Sequence, residues 1–401
     1  MIMAIGTRAT AADATPEPRS RRAATTATSG EQRRRGTRLI VERSGCDALA
    51  DVEPQSLGLT YWFEPEPNGD PYRLQIRFEG RRERSGSDLG PADRFSVVES
   101  VEHIVPGSGP IALTTRVTGI APGSWTVSAA PVNPRGAARV KRRGRVSSSR
   151  RTDATSTEGN TAFAPVIGVR APGARLGAWP ALVATGVVVA LVVQALLASR
   201  AGLAEVRLVT VSLGASLIGL VGAKVYYLAE HRQGLRGGLT AGMCIQGFVL
   251  GAIGALVVGA LLGGIALGPA LDVSAPGLLL AMGIGRLGCF FGGCCAGRPS
   301  GGRWALWSSD RRLGARRIPV QLAESVLAAT TGLAALALAW STNRTGFPAI
   351  FVGFFALFVV GRQMLFPYRA IPRHTRIGRP MTIAAGLAAA AIALGLAVVG
   401  A

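Results

Sequence analysis

Two arginines flank a stretch rich in glycine and cysteine at the end of an apolar segment. Arg286 lies on one side of this stretch and Arg298 on the other, with Cys289, Cys294 and Cys295 between them. An arginine at membrane depth is costly and usually has a function. A guanidinium binds phosphate through paired hydrogen bonds and stays charged. The two arginines and the glycines between them therefore predict a functional site at a helix end.

The three cysteines allow three interpretations. They pack as small apolar residues at the helix end, or a thiolate at Cys294 or Cys295 is a nucleophile that carries a group covalently. A metal site is the least favoured, because the C-x4-C-C spacing lacks the C-x2-C repeat and no histidine lies near in sequence. We therefore expect no metal and no cofactor, and Cys294 becomes a candidate catalytic residue.

The chain divides into a polar N-terminal part and an apolar C-terminal part. It has 401 residues, 48% of them hydrophobic, with a formal net charge of +21. We expect a disordered basic tail over 1–37, a β-domain over 38–135, a disordered basic linker over 136–175 and a membrane domain over 176–401. Met1–Gly36 shows no apolar core of a signal peptide.

The segment 38–135 has the pattern of short β-strands. Apolar and polar side chains alternate along 72–79, which is typical of a half-buried strand. Six or seven such strands predict a β-sandwich. The segment 120–127 resembles the penultimate strand of fibronectin type III domains, with Trp62 as a candidate core tryptophan, and a generic small β-domain is the alternative. The other predicted strands are 57–63, 95–105, 111–117 and 124–132.

The C-terminal part contains seven segments long and apolar enough to span a membrane. Their richness in glycine and alanine favours close helix packing. Before them, the basic run from Arg135 to Arg151 is expected to lie on anionic lipid headgroups. A solvated linker is the alternative, and we expect no binding of nucleic acid by this run. The predicted spans are 177–199, 206–229, 240–267, 270–291, 320–341, 346–367 and 380–401.

Five stretches of the apolar part resemble the signature of the prolipoprotein diacylglyceryl transferases. In this chain they read Gly-Ala-Lys-Val-Tyr-Tyr at 222–227, Gly-Met-Cys-Ile-Gln-Gly at 242–247, the arginine-cysteine motif at 285–300, Arg-Ile-Pro-Val-Gln-Leu-Ala-Glu at 317–324, and the stretch from Arg362 to Arg369. The resemblance implies a seven-helix enzyme of the plasma membrane. Such an enzyme moves a diacylglyceryl group from phosphatidylglycerol to the thiol of a lipobox cysteine in a prolipoprotein.

The resemblance also implies roles for particular residues. Arg286 and Arg298 would hold the lipid headgroup, and Arg369 would stabilise the departing glycerol phosphate. The remaining substrate-binding candidates are Gly288, Gly297, Gln321, Gln246 and Tyr227, with Glu324 as a supporting or catalytic group. An alternative for Gln321 and Glu324 is a helix-start cap with an ion pair to Arg317, since they lie on one helical face.

The chain departs from the family pattern at several positions. The family histidine, a candidate base, is Gln246 here, and two asparagines and a glutamate of the signature become Cys289, Gly292 and Cys294. Another base would be needed, such as Glu324 or a cysteine thiolate. Two alternatives follow: a non-catalytic relative that binds anionic phospholipid and recruits an unidentified partner through its β-domain, or another lipid-modifying enzyme with a cysteine nucleophile.

Membrane orientation gives conflicting signals. The excess of arginine on the face that carries the motif predicts a cytoplasmic position for that face, whereas the resemblance implies the outer face. We favour the outer face, because arginines retained to bind phosphate distort the charge count. That choice requires the basic N-terminal part to cross the membrane, unless translation starts downstream of Met1.

Overall fold

The computed structural model describes residues 37–42, 53–83, 90–132, 154–164, 171–175, 177–230, 244–342, 346–370 and 377–399. The predicted basic tail up to residue 36 and the basic run from Arg135 to Arg151 lie outside these residues. The side chain of Gln246 also lies outside the described set.

Two antiparallel sheets form the N-terminal part of the described chain. The first has the strand order β1-β2-β5-β10-β9, with β8 also paired to β2, and the second has the order β4-β3-β6-β7. The strands are β1 (Arg38–Val41), β2 (Gln55–Phe63), β3 (Tyr72–Arg82), β4 (Arg94–Ile104), β5 (Ile111–Thr118), β6 (Ser124–Val132), β7 (Thr155–Asn160), β8 (Ala162–Phe163), β9 (Leu306–Ser309) and β10 (Leu313–Arg317). The antiparallel β-rich region predicted from the alternation is therefore confirmed.

One apolar core lies between the two sheets. Tyr61 of the first sheet and Phe78 of the second are fully buried and meet edge to face, with ring centroids 6.3 Å apart. Trp125 is also fully buried, and its Nε1 donates to the carbonyl of Ala121 at 3.1 Å. The expectation of Trp62 as the core tryptophan is wrong: its ring faces the first sheet's outer side, where it stacks on Trp307.

Part of the predicted linker is strand. β7 and β8 fall within 136–175, and β7 pairs along six residues with β6 as an edge of the second sheet. The sequence of β7 is Thr-Ser-Thr-Glu-Gly-Asn, which has no apolar alternation. An edge strand is stabilised by its backbone hydrogen bonds, so a polar sequence forms one without leaving a hydrophobic signal.

Two strands of the first sheet come from the C-terminal part. β9 and β10 form a hairpin in the connection that follows the arginine-cysteine motif, and β10 pairs with β5 at Leu313–Leu113 and Gly314–Ala112. Trp307 of this hairpin stacks on Trp62 with centroids 5.6 Å apart and donates from Nε1 to the Pro110 carbonyl. The β-domain and the motif therefore lie on the same side of the helices.

Seven helices make up the rest of the described chain. Six are long and apolar enough to cross a membrane, and the described part of α3, Gly247–Leu262, is a shorter apolar helix. The chain is therefore a multi-pass membrane protein by length and composition of its helices. The helices are α1 (Ala178–Arg200), α2 (Glu205–Glu230), α3 (Ile245–Leu262), α4 (Leu267–Gly292), α5 (Val320–Ser341), α6 (Ala349–Leu365) and α7 (Gly378–Val399).

Glycines let neighbouring helices approach closely. A Cβ built at Gly277 of α4 would lie 2.6 Å from the Ala190 carbonyl oxygen of α1, and one at Gly247 of α3 would lie 2.3 Å from the Gly222 carbonyl oxygen of α2. Such contacts leave no room for a side chain, as in small-residue packing between membrane helices. The pairs α1–α4 and α2–α3 are thus fixed by backbone contact, and α4 carries the motif at its end.

Candidate functional site

The arginine-cysteine motif begins inside α4 and leaves it through a sharp turn. Arg286 and Cys289 lie in the last two turns of this helix, which ends at Gly292. Gly293 follows with φ 69°, a left-handed conformation that suits glycine at a helix end. A Cβ there would also lie 3.1 Å from the Ser309 carbonyl oxygen. The turn folds the chain back, because the Cys294 amide donates to the Cys289 carbonyl at 3.0 Å.

Helix α5 brings a buried carboxylate opposite this turn. Ser325 Oγ donates to the Gly283 carbonyl of α4 at 2.8 Å, which fixes the two helices against each other. Glu324, one residue earlier, then faces α4, and its side chain is only 1% exposed. Its Oε2 lies 3.0 Å from Nε of Arg286. A carboxylate this deeply buried needs paired cations, and Arg286 is the first of them.

Two further arginines contact the same carboxylate. Nε of Arg362 on α6 lies 3.6 Å from Glu324 Oε1, and NH1 of Arg369 lies 3.5 Å from the same oxygen. The side chains of Arg286 and Arg369 are 12% and 6% exposed, so both are shielded from water. Three guanidiniums around one carboxylate leave an excess of two positive charges in a poorly hydrated place. Such a place attracts an anion.

A short extended segment carries Arg298 to the edge of this cluster. Gly297 forms an antiparallel bridge with Arg369, and Pro299 forms one with Arg317. The Arg298 amide donates to the Tyr368 carbonyl at 2.9 Å, and its Nε donates to the Arg369 carbonyl at 3.1 Å. Arg298 is exposed at this edge. The motif therefore positions its two arginines differently, with Arg286 buried and Arg298 open to solvent or headgroups.

Arg317 supports the segment rather than the cluster. It is 3% exposed, with NH2 2.5 Å from Asp310 Oδ2 and NH1 donating to the Gly297 carbonyl at 3.2 Å. Burial lowers its pKa, and the charge of Asp310 opposes that change. The alternative that paired Glu324 with Arg317 is therefore wrong, because Glu324 pairs with the three other arginines.

Gln321 positions the cysteines rather than capping a helix. Residue Pro319 occupies the cap of α5 and makes no side-chain cap hydrogen bond. Gln321 Nε2 instead donates to the Cys294 carbonyl at 3.0 Å, and the Gln321 side chain is almost fully buried. Its Oε1 has no hydrogen-bond partner among the described residues. Gln321 thus fixes one side of the turn and presents a spare acceptor beside it.

The three cysteine thiols of the motif meet at the turn. Their Sγ atoms all lie within 4.8 Å of one another. Cys295 has φ 56°, a left-handed conformation that is uncommon outside glycine. Contacts with Cys289 and Cys294, together with the charges of Arg286 and Arg369, lower the pKa of the Cys295 thiol, whereas contacts with Cys289 and Cys295 raise the pKa of the Cys294 thiol. The three thiols are therefore electrostatically coupled to one another and lie beside the arginine cluster.

Both glycines expected to admit a ligand are packed against protein. A Cβ at Gly288 would lie 3.3 Å from Leu182 Cβ and from the backbone of Trp179 in α1. A Cβ at Gly297 would lie 2.0 Å from the Ile318 carbonyl oxygen. The glycines therefore permit the close approach of α1 to α4 and of the extended segment to the start of α5.

The sequence prediction included some residues of the cluster and missed another. The structure brings together Arg286, Arg298, Gln321, Glu324 and Arg369, with Cys294 at the adjoining turn. Arg362 was not among the candidates, although it begins the last stretch of the resemblance and lies in the final turn of an apolar helix. Those two features were the available signal, since an arginine at that depth needs a partner.

Tyr227 and Gln246 belong to the α2–α3 pair. Tyr227 is half-buried near the end of α2. Gln246 lies in the first turn of α3, and only its backbone is described. Their role in substrate binding stays a prediction.

The chain is similar to known proteins of one family. A model of the prolipoprotein diacylglyceryl transferase family matches residues 168–400, more than half of the chain. Proteins named phosphatidylglycerol–prolipoprotein diacylglyceryl transferase from Mycobacterium bovis and Mycobacterium tuberculosis are 35% identical over 146 residues, covering 34% of this chain and 31% of each relative. One of the same name from Chloroflexus aggregans is 34% identical over 91 residues, covering 21% of this chain and 30% of the relative.

The matched segment spans less than a third of the length of these curated relatives. The family match is broader, because it runs from just before α1 to the end of α7 and contains every residue of the arginine cluster. The chain belongs to the prolipoprotein diacylglyceryl transferase family.

Proposed function

We propose that this protein transfers a diacylglyceryl group from phosphatidylglycerol to the thiol of a cysteine in a prolipoprotein. Its family and the names of its relatives support this reaction class. The observation that carries the proposal is the convergence of Arg286, Arg362 and Arg369 on the single buried carboxylate of Glu324. The reaction has a phosphate ester as donor and a phosphate anion as leaving group, and both need such a cationic site.

The charge balance of the cluster favours an anionic ligand. Glu324 neutralises one of the three guanidiniums, and the remaining charge lies where Arg369 is 6% exposed. Arg369 Nε has no hydrogen-bond partner among the described residues. A guanidinium nitrogen that is buried and unsatisfied costs free energy until an acceptor binds it. We expect a phosphate oxygen of the lipid headgroup to be that acceptor.

Each residue then has a role in the transfer. Arg286 and Arg369 bind the phosphate and stabilise the charge that grows on it as the carbon–oxygen bond breaks. Glu324 orients these two arginines from a fixed point on α5. Arg298 lies at the open edge, where it meets the incoming headgroup. Gln321 supports the turn that carries Cys294.

The wider architecture and location form part of the same proposal. We infer seven spans, with α3 as the seventh beside the six longer helices, and a β-sandwich formed by the two sheets. The protein lies in the plasma membrane with the arginine cluster on the outer face, where phosphatidylglycerol and prolipoproteins are both accessible. The β-domain shares that face through β9 and β10 and recruits a partner that the sequence does not identify.

Complementation tests the proposal. The full chain is expressed in a bacterium whose own diacylglyceryl transferase can be switched off, and growth and lipoprotein modification are measured. We expect rescue by the wild-type chain and by Arg303→Gln, which changes an exposed arginine on the same face. We expect a loss of about 10²- to 10³-fold in modification for Arg286→Gln, the magnitude of removing one oriented donor.

Stable insertion without rescue would contradict transferase activity. It would favour the alternative of a non-catalytic relative in which the same arginines bind anionic phospholipid. Rescue by Arg286→Gln as efficient as that by the wild type would contradict the assignment of the phosphate site.

A further inference from the structure

The transfer requires an acceptor sulfur in its thiolate form. A free cysteine thiol has a pKa of about 8.5 and is mostly protonated at neutral pH. Histidine is the usual base for such a proton. In the part of the chain that the structure describes, the one histidine is His103, on β4 of the second sheet. Glu324 is occupied by three arginines. The described site therefore lacks an ordinary base for the acceptor thiol.

The geometry points to a different means of activating that thiol. We propose that Cys289, Cys294 and Cys295 bind a zinc ion and leave one coordination position open, where the acceptor cysteine binds as a thiolate. This inference rests on the proposed transferase function for its chemical role, but the zinc site itself depends only on the three cysteines. It departs from the sequence-based expectation of no metal, which relied on spacing along the chain.

Distances between the sulfurs fit the ion. Zinc–sulfur bonds of about 2.3 Å place the sulfurs of a tetrahedral site about 3.8 Å apart. All three Sγ atoms already lie within 4.8 Å of one another, so small side-chain rotations close the remaining difference. The C-x4-C-C spacing looked unsuitable because it lacks the C-x2-C repeat of common zinc sites. The left-handed turn at Gly293 and Cys295 folds the chain back and brings the three thiols together in spite of that spacing.

The backbone around the turn holds the ligands in place. The Cys294 amide is bonded to the Cys289 carbonyl, and Gln321 Nε2 holds the Cys294 carbonyl at 3.0 Å. Supporting hydrogen bonds of this kind orient metal ligands and increase affinity. Cys289 is 8% exposed, whereas Cys294 and Cys295 are half-buried. One side of the cluster is therefore accessible, as a catalytic zinc site with three protein ligands requires.

The surrounding charges favour the complex. Zinc with three thiolates carries one negative charge, and an acceptor thiolate adds a second. Arg286 and Arg369 both lie within electrostatic range of the Cys295 thiol. The excess positive charge of the arginine cluster therefore lies beside the ion. It offsets the charge of the complex in a place where water does so poorly.

The atoms and charges of the proposed transfer step balance. The acceptor thiol gives its proton to water as its sulfur binds zinc, because a coordinated thiol is deprotonated. The zinc-bound sulfur attacks the glyceryl carbon, a carbon–sulfur bond forms, and the carbon–oxygen bond to phosphate breaks. The electron pair leaves with glycerol phosphate, whose charge the arginines hold. The thioether product is a weaker zinc ligand than the thiolate and dissociates.

Cobalt substitution tests the zinc site in the detergent-solubilised full chain. Reduced, metal-free protein is titrated with Co²⁺, and thiolate-to-cobalt absorption is recorded, followed by displacement with Zn²⁺. We expect one metal per chain for the wild type and loss of the stoichiometric signal in the double variant Cys294→Ser/Cys295→Ser. Cys244→Ser is the matched control, because Cys244 contacts Glu230 away from the cluster and its loss should leave the titration unchanged.

A second titration tests the open position. A peptide with one cysteine is added to the cobalt-loaded protein, and we expect its sulfur to increase the charge-transfer absorption by about one third as a fourth thiolate joins three. The same peptide with serine should produce no change. Absence of metal binding by the reduced, folded wild type, or a disulfide among the three cysteines that persists in the active protein, would overturn the proposal.

The two proposals fail separately. Transferase activity in a metal-free, folded chain would refute the zinc role and leave the proposed function intact. Stoichiometric metal binding in a chain that transfers no lipid would support the zinc site and refute the proposed function.

Discussion

Replacing Glu324 by glutamine is the most informative perturbation of the cluster. The substitution keeps the size of the side chain and removes the one negative charge that Arg286, Arg362 and Arg369 share. It leaves three guanidiniums facing a neutral amide in a buried place. We expect a marked loss of folding stability and a changed response to anions.

The expected magnitude follows from the distances. At an effective dielectric constant of about 20, unit charges 3.0–3.6 Å apart attract by about 5 kcal/mol. Repulsion among the arginines and the cost of burying the carboxylate offset much of that attraction. Breaking a buried ion pair by removing one partner typically costs about 3–5 kcal/mol. For a membrane domain of this size, the cost corresponds to a fall in melting temperature on the order of 10 °C.

Thermal unfolding of the detergent-solubilised chain measures this loss. Glu205→Gln is the control, because Glu205 is an exposed carboxylate at the start of α2 and its loss should cost at most about 1 kcal/mol. Inorganic phosphate should raise the melting temperature of Glu324→Gln more than that of the wild type, because the freed guanidiniums lack a counter-ion. A melting temperature equal to the wild type, with no extra effect of phosphate, would refute the reasoning.

Two other substitutions test how the site is supported. Gly297→Ala should lower the free energy of unfolding by at least about 2 kcal/mol and remove most of the activity, because its Cβ would lie 2.0 Å from the Ile318 carbonyl oxygen. Gly285→Ala is the control, because a Cβ at Gly285 meets open space and should leave thermal unfolding unchanged. Trp307→Ala should weaken the contact between the β-domain and the helices, with a loss of about 2 kcal/mol of stabilising free energy. The variant loses the stack on Trp62 and the hydrogen bond to the Pro110 carbonyl. Limited proteolysis should then cleave between the β-domain and α1 faster than in the wild type, and an unchanged cleavage rate would contradict this interface.

The sequence predicted those features that have a local signal. Alternation along 72–79 identified β3, and the apolar runs identified the helices, because burial imposes a period on each. The arginines of the motif were identified because guanidiniums at the end of an apolar helix are rare without a function. The strand β7 gave no such signal, since its residues are polar throughout.

Long-range contacts could not be predicted from the sequence. The pairing of β10 with β5 joins Leu313 to Leu113, and no periodicity indicates that a loop between two helices completes a distant sheet. The alternative drawn from spacing along the chain, an ion pair of Glu324 with Arg317, was also wrong. Arg317 lies seven residues before Glu324, but the turn into α5 directs Arg317 to Asp310 instead. The meeting of the three cysteines likewise depends on a left-handed turn that spacing does not reveal.

The mass of an acceptor peptide tests the central claim most directly. Purified full-length protein is incubated with phosphatidylglycerol and a lipobox-type peptide that contains one cysteine, and the products are analysed by mass spectrometry. The account predicts that the cysteine peptide gains the mass of one diacylglyceryl group through a thioether, that glycerol phosphate is released in equal amount, and that the matching serine peptide is unchanged. An unmodified cysteine peptide after incubation with folded wild-type protein would contradict the account.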